Sequence, residues 1–110
     1  MQNDISGIRQ ELDNITRVIA DTFPVEAIYL FGSYANGEPH KDSDLDIYVV
    51  FRDDLPVGEL DAIFEINKAV EPVRKKPLDV MGLKQTRFMD RKQYATLERK
   101  IDREGVKLYG

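Results

Sequence analysis

Two short apolar runs, Val25–Phe31 and Leu45–Phe51, constrain the fold more than any other feature of the sequence. Both are rich in β-branched and aromatic residues and both are bounded by chain-breaking residues, the pattern of strands. The first runs straight into Gly32-Ser33, which predicts a largely buried strand ending in a turn. In the second, Leu45, Ile47, Val49 and Phe51 alternate with Asp44, Asp46, Tyr48 and Val50. Successive strand side chains point to opposite faces, so this strand has one apolar face and one face that begins acidic. Residues 34–43 form a breaker-rich connection with one helical turn at its start, longer than a tight hairpin.

Helices are expected around these strands. Ile5, Ile8, Leu12, Ile15, Val18 and Ile19 recur at steps of three and four, so Asp4 to about Thr22 reads as an amphipathic helix punctuated by Pro24. Asp53-Asp54-Leu55-Pro56 opens a second helix, with Val57, Leu60, Ile63, Phe64 and Val70 as its buried stripe and Pro72 as its stop. A basic segment, Arg74-Lys75-Lys76-Pro77, precedes a third strand from Leu78 to Leu83. Asp90 and Gln93 resemble a capping box for a last helix, which carries Tyr94, Leu97 and Ile101 on one face and stops at Gly105. The order α-β-β-α-β-α predicts an α+β fold, a small mixed sheet flanked by helices, in one domain over residues 1–110.

Composition narrows the chemistry. The 110 residues include no Cys and a single His, His40, which excludes disulfides, thiol nucleophiles, cysteine zinc sites and paired-histidine metal sites. Carboxylates, hydroxyls, Lys and Arg remain. His40 itself is expected on an exposed loop, and Tyr34 and Tyr48 as packing or site walls. The net charge of −4 argues against direct nucleic-acid binding. That charge is uneven: residues 1–83 carry 8 basic and 16 acidic side chains, residues 84–110 carry 8 basic and 4 acidic. The basic stretch reads either as a charged helix face, with Lys100 and Glu104 four residues apart, or as a docking surface for a partner. No apolar run approaches the ~20 residues that span a bilayer, and the N-terminus lacks a signal-peptide pattern, so a cytoplasmic protein is expected.

The candidate site is Gly32-Ser33, ten residues, then Asp44-Leu45-Asp46. A Gly-Ser turn leaving a strand lets backbone N–H groups and a hydroxyl approach a polyphosphate. Residues i and i+2 on a strand share a face, so the Asp44 and Asp46 carboxylates converge. Two such carboxylates repel unless a divalent cation lies between them, and hard oxygen ligands completed by substrate phosphates favour Mg²⁺. Asp79 opens the third strand; if that strand lies beside Asp44–Phe51, three acids would surround two metal ions and suit in-line phosphoryl or nucleotidyl transfer. Taken singly, a Gly-Ser turn, an Asp-x-Asp pair and a strand-edge Asp79 near Arg74–Lys76 are all common structural features.

The stretch Phe31-Gly-Ser-Tyr-Ala-Asn-Gly-Glu-Pro-His-Lys-Asp-Ser-Asp-Leu-Asp-Ile-Tyr-Val resembles the signature of the minimal nucleotidyltransferases of the DNA-polymerase-β superfamily. These are commonly the antitoxin half of HEPN/MNT toxin–antitoxin pairs. Pro77-Leu-Asp-Val80 falls where the family's third acid lies, and Ile101 to Tyr109 is similar to its C-terminal close. The resemblance implies a polymerase-β-like nucleotidyltransferase fold. It implies nucleotide-triphosphate contacts from Gly32, Ser33 and Ser43, two Mg²⁺ ions held by Asp44, Asp46 and Asp79, and help from Asp79 in activating the attacking hydroxyl. Many relatives carry Arg where this chain has Asn36.

By the same resemblance, the expected activity is transfer of AMP from ATP to a hydroxyl, a tyrosine in the family, on a partner HEPN toxin. Two other readings stand beside it: an antitoxin that neutralises a HEPN ribonuclease by binding alone, and a transferase acting on a small molecule. Relatives of the last kind usually carry an additional acceptor-binding domain.

Overall fold

A four-stranded mixed sheet of order β3-β2-β1-β4 organises the protein, as seen in a computed structural model that describes residues 6–37, 39 and 43–110. β1 (Val25–Phe31) and β2 (Leu45–Phe51) are its central, antiparallel pair. β3 (Leu78–Lys84) runs parallel to β2, and β4 (Val106–Tyr109) runs antiparallel to β1. The helices are α1 (Arg9–Thr22), α2 (Ser33–Asn36), α3 (Glu59–Val70), α4 (Gln85–Arg91) and α5 (Leu97–Glu104). The start of the first helix at Asp4 and the placement of His40 lie outside the described residues. Among the described residues, no helix is long and apolar enough to cross a membrane.

Both faces of the central strands are covered. On one face Ile28, Leu30, Leu45, Ile47, Val49 and Phe51 pack with Leu12, Ile15 and Ile19 of α1 and Ala62, Ile66 and Val70 of α3. On the other, Ala27, Tyr29, Tyr48 and Val50 meet Phe88 of α4 and Ile101 of α5. Glu11 of α1 is 7% exposed, and its Oε2 accepts the Lys75 and Lys76 N–H groups at 2.5 and 2.8 Å. The turn before β3 is thereby fixed to the first helix.

Three expectations need correction. The second helix starts at Glu59, not at Asp53–Pro56. Asp53 instead accepts the Thr86 N–H at 3.0 Å and the Thr86 hydroxyl at 2.6 Å, so it secures the start of α4. The buried stripe of α3 is Ala62, Ile66 and Val70, while Val57, Leu60 and Phe64 face outward. Two apolar ridges compete at the same four-residue spacing, and the smaller Ala62 side is the one that approaches the sheet; Lys68 lies over the Phe64 ring, 5.3 Å from its centroid.

At the C-terminal end the expected single helix is two helices and a strand. No capping box forms at Asp90 and Gln93. α4 ends there, Thr96 caps α5 by accepting the Arg99 N–H at 3.2 Å, and Tyr94 is exposed. Gly105 does end α5, and Val106–Tyr109 then pairs with β1. With α2 added after β1, the order becomes α-β-α-β-α-β-α-α-β.

Candidate active site

Strand register builds the site. β2 buries Leu45 and Ile47 completely, which fixes the alternation and turns Asp44 and Asp46 to the opposite face. The Leu45 N–H donates to the Pro77 carbonyl at 2.9 Å, tying the entry of β2 to the entry of β3. From there the parallel ladder sets Asp46 directly beside Asp79. On the other flank, Phe31 is the antiparallel partner of Asp46, so the Gly32 turn begins next to the same carboxylate.

Gly32 is required there twice over. Its φ of 78° and ψ of −154° lie in a region that essentially only glycine occupies. A Cβ at this position would also fall 2.1 Å from Asp46 Oδ2. The carboxylate is therefore pressed against bare backbone. Ser33 opens α2, whose single turn is closed by the Asn36 N–H donating to the Gly32 carbonyl at 3.0 Å. Ser43 is half-buried immediately before exposed Asp44.

Electrostatics link the three acids. Asp46 is held above the usual aspartate range, first by burial, then by the negative charge of Asp79 and that of Asp44. The sequence-derived trio is thus brought to one end of one sheet face. Among the described residues, however, no three acidic or histidine side chains gather closely enough to hold a metal ion unaided. Mg²⁺ takes one or two protein carboxylates and completes its shell with water and substrate phosphate. The hard-oxygen donor set and the strained ionisation of Asp46 both suit a divalent cation.

Beneath the acids lies a network of which sequence reasoning placed only Tyr48, as packing or a site wall. Tyr48, two residues after Asp46 on the same face, is 1% exposed, and its hydroxyl donates to Glu98 Oε2 at 2.8 Å. Arg91 Nε donates to Glu98 Oε1 at 2.9 Å. Burial acts to raise the Glu98 pKa, but the bonds from Arg91 and Tyr48 outweigh it and hold the carboxyl below its ordinary value. The Tyr48 hydroxyl is pushed far upward by burial and by Glu98, so it stays protonated. The spacing of Leu97 and Ile101 marks the buried side of α5, but nothing in sequence joins Glu98 to a strand 50 residues away.

Neighbouring carboxylates beside a bare glycine turn are an arrangement able to serve chemistry on phosphate esters. The chain belongs to the nucleotidyltransferase domain family, whose model matches residues 12–104. It is 43% identical over 47 residues to a candidate protein adenylyltransferase of Methanocaldococcus jannaschii, a match covering 43% of this chain and 47% of that protein. It is also 43% identical over 44 residues to the protein adenylyltransferase MntA of Shewanella oneidensis, covering 39% of this chain and 32% of MntA. The similarity thus spans less than half the length of either relative. The fold is similar to that of a chain in the crystal structure of a toxin–antitoxin with AMP-PNP, with a TM-score of 0.66 and 25% identity over 90% of this chain and 73% of that one.

Proposed function

We propose that this protein transfers AMP from ATP to a hydroxyl of a partner toxin, a tyrosine of a HEPN-type ribonuclease, and so acts as an antitoxin in the cytoplasm. The observation that carries the reading is the register that sets Asp46 between Asp79 and the Gly32 turn. Support comes from family membership, from relatives named protein adenylyltransferase, and from a similar fold in a toxin–antitoxin with an ATP analogue.

In the proposed reaction the acceptor oxygen attacks the α-phosphorus in line. The P–O bond to the β-phosphate breaks, and pyrophosphate leaves with the bonding pair. Gly32 and Ser33, with Ser43 nearby, present backbone N–H groups and hydroxyls to the phosphate chain, where no side chain intrudes. Asp79 lies on the far side of Asp46 from that turn, on the flank where an acceptor can approach, and takes up the hydroxyl proton. Asp44, Asp46 and Asp79 would hold two Mg²⁺ ions, which when bound neutralise charge on the phosphates and on the attacking and leaving oxygens. Tyr48, Glu98 and Arg91 keep the floor below Asp46 rigid.

The test supplies Mg²⁺, the candidate toxin encoded by the adjacent gene, and ATP labelled at either the α- or the γ-phosphate. The expected result is α-label on the toxin, no γ-label, and no label at all with Asp46→Asn. Toxin neutralised by Asp46→Asn without any label would replace this reading with inhibition by binding alone.

A further inference from the structure

The outward side of α3 carries apolar residues that no other element covers. Helical periodicity commits Ala62, Ile66 and Val70 to the sheet, which turns the intervening residues toward solvent. Among these are Leu60, 82% exposed, and Phe64, 63% exposed. Four residues apart on one helix, they are neighbours on a single ridge, with half-buried Ile63 on its inner flank. A lone exposed leucine is ordinary, whereas large apolar side chains grouped on one ridge mark a contact surface. Beside the ridge an open groove of about 600 Å³ runs between Leu60 of α3 and Gly82 and Leu83 of β3, with the Glu59–Arg87 ion pair in its lining. β3 is an edge strand, so no further strand closes that side.

The border of the ridge is acidic. Residues 59–71 carry four acidic side chains, Glu59, Asp61, Glu65 and Glu71, against the single basic Lys68. Arg87 and Arg74 occupy Glu59 and Glu71. Among the described residues, Asp61 makes no side-chain hydrogen bond or ion pair. Glu65 reaches Lys68 at 3.6 Å, and both side chains are more than half exposed, so that pair holds weakly. Asp61 and Glu65 therefore leave negative charge beside Leu60 and Phe64 for a partner to meet.

We propose that this face docks a basic amphipathic helix of a partner protein. A helix packs its own apolar side chains against a ridge of this spacing, and the groove beside Leu60 accepts one of them. Lysines or arginines bordering such a stripe then face Asp61 and Glu65. A second copy of this chain does not supply that helix, because Phe88 of α4 and Ile101 of α5 are already buried against the sheet. α3 packs on the sheet face opposite Asp46, so a helix docked here leaves the acids and the Gly32 turn open. The surface is an attachment point separate from the chemistry, and it stands whatever reaction the acids perform.

The test uses a helical peptide of about 18 residues with a leucine stripe bordered by lysines. Two counter-probes accompany it: the same stripe bordered by glutamates, and the same composition with the leucines scattered around the helix. Fluorescence anisotropy at physiological salt should show the lysine-bordered peptide binding about tenfold or more tightly than either. The methyl NMR signals of Leu60 and Ile63 should move, while those of Leu97 and Ile101 stay in place. Leu60→Ser combined with Phe64→Ser should weaken binding about tenfold or more without shifting the unfolding midpoint, since both side chains are exposed. Asp61→Lys with Glu65→Lys should reverse the preference between the two bordered peptides. Equal binding of the scattered peptide would reduce the effect to bulk charge and overturn the proposal, as would absence of binding or shifts at Leu97 and Ile101 alone. Leu60 signals that move with protein concentration alone, with a doubled mass in solution, would overturn it in favour of a second copy. Should the serine variant fail to fold, the wild-type shifts with the three peptides decide. Every one of these outcomes leaves the proposed transfer standing, since none involves Asp46.

Discussion

At the residue scale the site turns on the contact between Gly32 and Asp46. Gly32→Ala puts a methyl into the Asp46 carboxylate and forces a glycine-only backbone conformation on alanine. Thermal or urea unfolding should show a loss of about 1–3 kcal/mol, accompanied by loss of Mg²⁺–ATP binding. Asp46→Asn has the opposite effect on stability. The pKa of Asp46 is raised on folding, so its ionisation works against the native state, and the penalty is complete once pH exceeds the raised value. The metal-free Asn variant should therefore be the more stable at pH 7, by no more than about 1 kcal/mol because solvent screens these half-exposed groups. That advantage should vanish as pH falls through the ordinary aspartate range. Asp44 and Asp46 were legible as a convergent pair because strand alternation alone puts them on one face. Asp79 needed the β2–β3 register, which no local pattern contains.

At the scale of elements, stability near the site depends on long-range polar ties. Tyr48→Phe deletes the bond to Glu98 and should cost about 1.5–3 kcal/mol at neutral pH, measured by chemical unfolding. Glu98 has a depressed pKa, so its contribution is present above the ordinary glutamate range and is lost as pH falls through the lowered value. The Tyr48→Phe penalty should shrink over that same acidic interval. Glu11→Ala strands the Lys75 and Lys76 N–H groups and should cost about 1–3 kcal/mol, with hydrogen exchange accelerated in the turn before β3. The main strands and α1 could be read from periodicity because their buried faces are continuous. The start of α3 could not, since Asp53 serves Thr86 across 33 residues rather than its own helix. β4 escaped notice because four residues with half-buried Val106 and Leu108 give too short an alternation, and only pairing to β1 makes them a strand.

At the scale of the whole molecule, the sign change along the sequence persists in the fold: among the described residues, Arg87 with Glu59 is the one ion pair that joins the two segments. Arg87 pairs with Glu59, Arg91 with Glu98 and Lys92 with Asp102, while Arg99 donates to the carbonyls of Lys92 and Gln93. Part of the basic C-terminal stretch is thus a stitched helix face, while its net positive charge leaves the docking-surface reading standing beside it. The negative charge left at the end of β2 and β3 is what a divalent cation would relieve. Mg²⁺–ATP at a hundred times its dissociation constant should accordingly stabilise the native protein by about 2.7 kcal/mol, visible as a rise in Tm that Asp46→Asn lacks. Chemistry and simple binding differ most sharply in turnover. With the candidate toxin in large excess over this protein, and Mg²⁺ and α-labelled ATP present, the decisive quantity is the moles of label transferred per mole of protein. A value that rises well above one with wild type and stays at zero with Asp46→Asn is the predicted result; label that persists in the variant, or never appears with wild type while the toxin is still neutralised, would contradict it.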